Sequence, residues 1–262
     1  MTVVCLALLA LAACGRGRDW RQTQAAPAPD SDAGYVRPPQ VLSALRASDG
    51  GVILRGQAAP NSRVRLQAPG GAAYGGTVQA NGDWTLPAPT GDQPRVFGIS
   101  EDLDGRIVQG EGYVAVLPRP GRPAALLRAG GGALVLGDLV EPLRITAIDF
   151  DAGGGALVSG LAHAGLALRL IVDGAAAGEV KADAHGRFTA GLPAILKPGQ
   201  HQISVQAGSD TVSAQVAAGA PGPISGLPYH GLRQGAAWRV DWVTPGGGVQ
   251  TTLILDPPEP AH

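Results

Sequence analysis

The sequence predicts an all-β fold of two tandem β-sandwiches, on three observations. Its 262 residues contain 40 Gly and 22 Pro, with 45% hydrophobic and only 16% charged residues, so apolar segments are short and cut by frequent turns. Those segments alternate apolar and polar side chains, the period of a strand with one buried face. Two long stretches, 41–117 and 145–217, also match one another nearly in register. Gly56 aligns with Gly160, Val64-Arg65-Leu66 with Leu168-Arg169-Leu170, and Gly82, Trp84 and Thr85 with Gly186, Phe188 and Thr189. Each pair lies 104 positions apart, the mark of a duplicated unit.

Residues 1–13 form an apolar run that leads into Cys14 as Leu11-Ala12-Ala13-Cys14. Val3 to Leu11 has the length of a signal-peptide apolar segment, and a run of about thirteen residues is too short to span a bilayer as a helix. This run resembles the lipobox of bacterial lipoprotein signal peptides. The resemblance implies cleavage before Cys14 and acylation of its thiol and freed amine, giving an anchor of several acyl chains where a single one is marginal. Gly15 in place of Asp implies, by the same resemblance, onward transport to the periplasmic leaflet of the outer membrane. No Lys or Arg precedes Cys14, so the positive charge of such a signal comes either from the amino terminus or from a start further upstream. Residues 14–40, rich in Ala, Pro, Asp and Gln, have no apolar period and read as a tether, with Trp20 able to rest at a lipid interface.

In the first unit, 41–117, Val52 and Leu54 lead to Gly56, Val64 and Leu66 alternate with arginines, and Val78 precedes an Asn81-Gly82 hairpin turn and then Trp84 and Leu86. Strands over 96–100 and 107–116 follow. In the second unit, 145–217, Ala184-His185-Gly186 takes the place of the Asn-Gly turn between Val180 and Phe188, and strands run over 201–207 and 211–216. About seven short strands in about 75 residues meet the requirement of a β-sandwich. Three segments of the first unit carry a resemblance: the turn and strand from Gly56 to Val64, the hairpin from Val78 to Trp84, and the acidic turn from Ser100 to Gly105. They resemble the bacterial immunoglobulin-like repeats of cell-surface and adhesin proteins. The second unit resembles them less and offers only Gly208-Ser209-Asp210 at the acidic turn. Residues 118–144 and 218–262 each hold a hairpin, around Gly130-Gly131-Gly132 and around Pro245-Gly246-Gly247-Gly248. An isolated hairpin is marginal in water. The two are therefore expected either to join in a small third β-sheet or to add separately to the edges of the second unit.

A net charge of −1 without any basic block argues against a nucleic-acid partner. Cys5 lies in the signal and Cys14 takes the lipid, which leaves no thiol for a disulfide, a nucleophile or a metal site. The histidines, His163, His185, His201, His230 and His262, have neither HxxxH nor HExxH spacing, and no Gly-x-Ser-x-Gly elbow occurs. No catalytic residue, metal or cofactor is expected. Glu101, Asp102 and Asp104 put three carboxylates within four positions, enough for part of a calcium shell. A solvated turn explains Asp and Gly there equally well. Asp149, Asp151 and Asp173 are too dispersed to read as a site. Trp84 and Phe188 read as core. Trp238 and Trp242 fall four apart on one strand face with Tyr229 nearby, which suits either a platform for sugar rings or the cover of a neighbouring sheet. The expectation is a non-enzymatic envelope lipoprotein anchored at Cys14, whose repeats act as a spacer and protein-binding scaffold. Glycan binding through Trp238, Trp242 and Tyr229, to peptidoglycan or surface polysaccharide, is the alternative.

Overall fold

The computed structural model describes residues 36–137 and 143–257, which form nineteen strands and no helix. Cys14 and residues 15–35 of the tether lie outside the described residues, while Gln40, the last residue of the expected tether, opens β1. The first sandwich comprises β1 (Gln40–Arg46), β2 (Val52–Gln57), β3 (Arg63–Gln67), β4 (Ala73–Thr77), β5 (Asp83–Ala88), β6 (Arg95–Leu103) and β7 (Arg106–Val116). One sheet has the order β1-β2-β5 and the other begins β4-β3-β6-β7, all antiparallel. Two short strands follow, β8 (Ala124–Leu127) and β9 (Leu134–Leu136).

The second sandwich repeats the plan with β10 (Arg144–Asp151), β11 (Ala156–Leu161), β12 (Ala167–Val172), β13 (Ala175–Lys181), β14 (Arg187–Gly191), β15 (Gly199–Ala207) and β16 (Asp210–Ala218). Its sheets run β10-β11-β14 and β13-β12-β15-β16. Three strands packed on four in this order make each unit an immunoglobulin-like sandwich. Each has its own core, centred on Leu54, Leu66, Trp84 and Phe97 in the first and on Ile148, Leu170, Phe188 and Ile203 in the second.

The duplication extends to backbone irregularities. A bulge interrupts the register between Val41 and Ser43, and another between Ile145 and Ala147, again 104 positions on. The repeated Gly and aromatic residues are one packing device. Gly56 pairs with Trp84 across β2 and β5, and Gly160 with Phe188 across β11 and β14. A Cβ on Gly56 would come within 2.4 Å of the indole ring, and one on Gly160 within 2.3 Å of the phenyl ring. Only a bare Cα lets the ring lie across the neighbouring strand. The hairpin turns differ in chemistry but not in shape. Asn81 Oδ1 accepts the N–H of Asp83, while in the second copy Asp183 Oδ1 accepts the N–H groups of His185 and Arg187. Gly82 and Gly186 take positive φ values of 87° and 72°.

The flanking segments neither form a third sheet of their own nor both join the second sandwich. The hairpin β8–β9 continues the first sandwich beyond β7. The carboxy-terminal segment supplies three strands, β17 (Tyr229–Gln234), β18 (Ala237–Val243) and β19 (Val249–Leu255), which extend the second sandwich from β10 in the order β10-β19-β18-β17. The physical reason lies in the linkers. After β7 the chain turns back at once, with the N–H of Leu117 donating to the Pro123 carbonyl, so β8 can only pair with β7. The Arg46 guanidinium gathers this turn by donating to the carbonyls of Leu117, Pro118 and Arg122 at 2.8, 3.0 and 2.9 Å.

Gly56→Ala and Gly160→Ala are each expected to lower stability by about 1–3 kcal/mol, the usual cost of overpacking. The check is a urea midpoint that falls with the slope unchanged; two neutral variants would mean that the rings do not rest on these glycines.

Candidate functional site

The extended sheets face one another and bury a third apolar core. Leu117, Leu127 and Val135 on the first sandwich meet Trp238, Val240 and Trp242 on β18. The two tryptophans share a strand face, as their spacing requires, but that face is covered: Trp238 is 5% exposed and Trp242 1%. An open stacking platform is therefore absent at Trp238, whose indole N–H points to the Pro120 carbonyl at 3.4 Å while the Arg233 guanidinium lies 5.3 Å from its ring.

A buried polar cluster pins the same interface. Asp149 accepts the N–H of Ala133, which belongs to the β8–β9 hairpin, at 2.7 Å, and also the Thr252 hydroxyl and the Gln250 amide. Thr252 in turn accepts the Trp242 indole N–H at 3.1 Å. Burial pushes the Asp149 carboxyl above its ordinary range despite these donors. On the opposite face of β18, Arg239 pairs with Asp241 at 3.0 Å and donates to the Ala220 carbonyl at 2.8 Å, holding the β16–β17 connection over the sheet.

A groove of about 700 Å³ opens where this third core stops. Along β6 and β7 the outward side chains change character with their cover. Val96, Ala115 and Leu117 are buried beneath the second sandwich, Val96 at the margin of the groove, whereas Ser100, Asp102, Gln109 and the exposed Ile107 lie beyond its edge and line the groove. Arg63 and Arg65 on β3 complete the floor. Pro228, Tyr229 and Val243 form a wall, with Trp242 behind it. Tyr113 marks the boundary and meets Trp242 edge to face at 5.7 Å and 73°. Tyr229 and Trp242 are paired across β17 and β18, so the structure brings them together and leaves Trp238 at the far end of the strand. Tyr113, Arg63 and Arg65 were not distinguishable as site residues in the sequence. Alternation marks the arginines only as outward-facing, and a neighbouring sheet decides which outward residues share a groove.

The acidic turn is not a converging ligand set. Glu101 is fully buried and points inward, accepting the Ala59 N–H at 2.9 Å and the Ser62 hydroxyl at 3.2 Å. Asp102, its neighbour on the strand, points outward and accepts the Gly105 N–H at 2.8 Å. Asp104 sits in the turn at φ 51°. Asp149, Asp151 and Asp173 are likewise separate: Asp151 caps the β10–β11 turn through Gly153 and Gly155, and Asp173 pairs with His201. Among the described residues no group of three metal-ligating side chains occurs.

His201 is held by two acceptors. Its Nδ1 lies 2.7 Å from Asp173 Oδ2 and its Nε2 lies 2.7 Å from the Lys197 carbonyl. Only the imidazolium donates from both nitrogens, so Asp173 first and the carbonyl second raise the ring's pKa above 6.5. His201 and then the Gln202 N–H lower that of Asp173. With both nitrogens engaged, the ring is not poised as a general base.

No family model matches this chain, and no curated protein does. Solved structures resemble it at low similarity. The central fibronectin-III array of RIM-binding protein is 15% identical with a TM-score of 0.26, covering 79% of this chain and 72% of that one. A Ca2+-stabilised adhesin with which an Antarctic bacterium binds ice is 13% identical with a TM-score of 0.22, covering 85% of this chain and 66% of that one. A 1.5-MDa bacterial ice-binding adhesin is 15% identical with a TM-score of 0.22, covering 69% and 62%. None of them supplies a ligand, a site or an activity for this chain.

Trp238→Ala and Trp242→Ala are expected to cost about 3–5 kcal/mol each, as for any buried aromatic, whereas Tyr229→Ala, partly buried against the same core, should cost less; calorimetry on the three variants separates core from wall. The His201–Asp173 pair predicts a pH dependence of known sign. The raised histidine pKa adds stability below about pH 6.5 that is lost as pH rises through the folded value, while the lowered aspartate pKa adds stability that is lost only in acid. Urea midpoints at about pH 6 and about pH 8.5 should therefore diverge more in the native chain than in His201→Gln. Equal divergence in both would assign the dependence elsewhere.

Proposed function

We propose that this chain is a non-enzymatic, lipid-anchored protein of the bacterial cell envelope whose two sandwiches act together as a rigid spacer and binding scaffold. The observation that carries the reading is the apolar interface between the two extended sheets. Domains joined by small polar contacts move relative to one another by default, and a buried apolar interface removes that freedom. A scaffold of this kind holds a binding surface in fixed geometry at the end of a tether. The anchor and the placement in the outer membrane, facing the periplasm, rest on Leu11-Ala12-Ala13-Cys14 followed by Gly15. The non-enzymatic reading is supported by how the buried polar groups are used: Asp149, Glu101 and the Arg239–Asp241 pair are all occupied in holding backbone and strands together.

A second reading, glycan binding, is favoured by the groove itself. Its size falls within the range of small-ligand sites, and it sets tyrosine rings beside polar side chains, which is how sugar rings are held. The site differs from a Trp238–Trp242 platform in using Tyr229 and Tyr113, with Trp242 as their support.

Mass spectrometry of the mature amino terminus with membrane fractionation tests the anchor. Acylated Cys14 in the outer-membrane fraction, lost in Cys14→Ser, is the expected result. An unprocessed Met1 in a soluble fraction would overturn the anchor and leave the scaffold without a membrane.

A further inference from the structure

We infer, building on the glycan reading of the same groove, that it binds a carboxylated polysaccharide strand, with Arg63 and Arg65 receiving the carboxylates and Tyr113 and Tyr229 the sugar faces. Charge sets the class. The floor carries two guanidinium groups against one carboxylate, Asp102, and that carboxylate already accepts the Gly105 N–H. Both arginines are exposed, and neither guanidinium has an ion-pair or hydrogen-bond partner among the described residues. The duplicated unit offers a control within the same chain. Arg169, the counterpart of Arg65, lies 3.9 Å from Glu179 on an outer face that no neighbouring sheet borders with aromatics. The first copy thus leaves its cation free where the second engages it.

Side chains, rather than a strand edge, face the groove beneath the two arginines. Peptides that add to a sheet bond to a free strand edge. Beneath the two arginines the floor strands β3 and β6 are paired on both sides, whereas β4, β17 and the 106–112 part of β7 each keep one free edge beside the groove. What the floor offers is side chains: guanidinium forks suited to carboxylate, the Gln109 amide and the Ser100 hydroxyl for sugar hydroxyls, and two phenol rings. Arg63 and Arg65 project from the same face two residues apart, about 7 Å along the strand, a spacing on the scale of a sugar residue.

The test is isothermal titration of the full chain in detergent with oligogalacturonate, a neutral dextran oligosaccharide of equal length, and solubilised peptidoglycan fragments. Oligogalacturonate should bind with an affinity that falls as salt rises. R63A/R65A should weaken it by at least about tenfold with the thermal midpoint unchanged, and Tyr229→Ala should weaken it as well. Peptidoglycan binding that is lost in R63A/R65A would identify the cell wall as the source of the carboxylates; binding confined to galacturonate would identify a surface polysaccharide. Equal affinity for dextran, or affinity untouched by R63A/R65A, would overturn the charge assignment while leaving glycan binding in place. Failure of every glycan to bind would overturn both, without bearing on the anchor or the rigid scaffold. A proline-rich or acidic peptide that competed in R63A/R65A as well as in the native chain would replace the polysaccharide with a protein partner.

Discussion

The face-to-face packing of β18, β19 and β10 on β7, β8 and β9 is the contact on which the rest of this molecule depends. A sandwich sheet of three or four strands buries one face against its partner and leaves the other to water. Here β8–β9 and β17–β19 widen one sheet of each unit, and the widened sheets turn their second faces toward each other. Val96, Leu117, Leu127 and Val135 would be costly on an open surface, and their burial against Trp238, Val240 and Trp242 removes that cost. Two buried tryptophans alone represent on the order of 10 kcal/mol of apolar burial before ordering is counted. The appended strands are thus the parts that make two modules into one body, rather than decorations on their edges.

An apolar interface attracts without choosing a register, because dispersion and the hydrophobic effect are not directional. Asp149 supplies the choice. It reaches from β10 to the N–H of Ala133, and Gln250 beside it accepts the Gly130 N–H and donates to the Arg128 carbonyl, so the β8–β9 turn is gripped from the second sandwich. Taking a carboxylate out of water is unfavourable, and three donors only partly offset it, which is why its pKa rises. Any sliding of the two sheets would take away the Ala133 N–H and leave this buried carboxylate with only the Thr252 and Gln250 donors of its own sheet. The cluster selects one alignment among many greasy ones, and through Thr252 it also fixes the Trp242 ring that backs the groove wall.

The groove follows from incomplete coverage. The second sandwich is too narrow to cover the whole outer face of β3, β6 and β7, and where the cover ends Ser100, Asp102 and Gln109 stand beside an exposed Ile107. Val96 and Ser100 lie on one face of one strand, yet the first is buried in the third core at the margin of the cleft and the second stands in the open cleft. Tyr113 stands at the transition and serves both sides, one edge of its ring against Trp242 and the rest toward the opening.

Local chemistry made much of the fold legible in the sequence. Period-2 alternation named the inward residues of each sandwich, because the pleat permits no other arrangement. The 104-residue repeat of Gly56 and Trp84 as Gly160 and Phe188 identified a duplicated unit, and the structure showed that each Gly makes room for the ring across from it. Trp84 and Phe188 were readable as core from their matching strand positions. Other features had no local signature. Glu101 belongs by sequence to an acidic turn, but alternation along β6 sends it inward to Ser62 while Asp102 goes outward. Trp238 and Trp242 were readable as sharing a face, and whether sugar or sheet lay against that face was decided by the pairing of two distant hairpins with two different sheets. The sequence by itself determined which side of each strand a residue occupies, because side-chain direction is a property of the backbone. Only the tertiary structure decided what each outer face meets, because that depends on strand edges brought together across more than a hundred residues of chain.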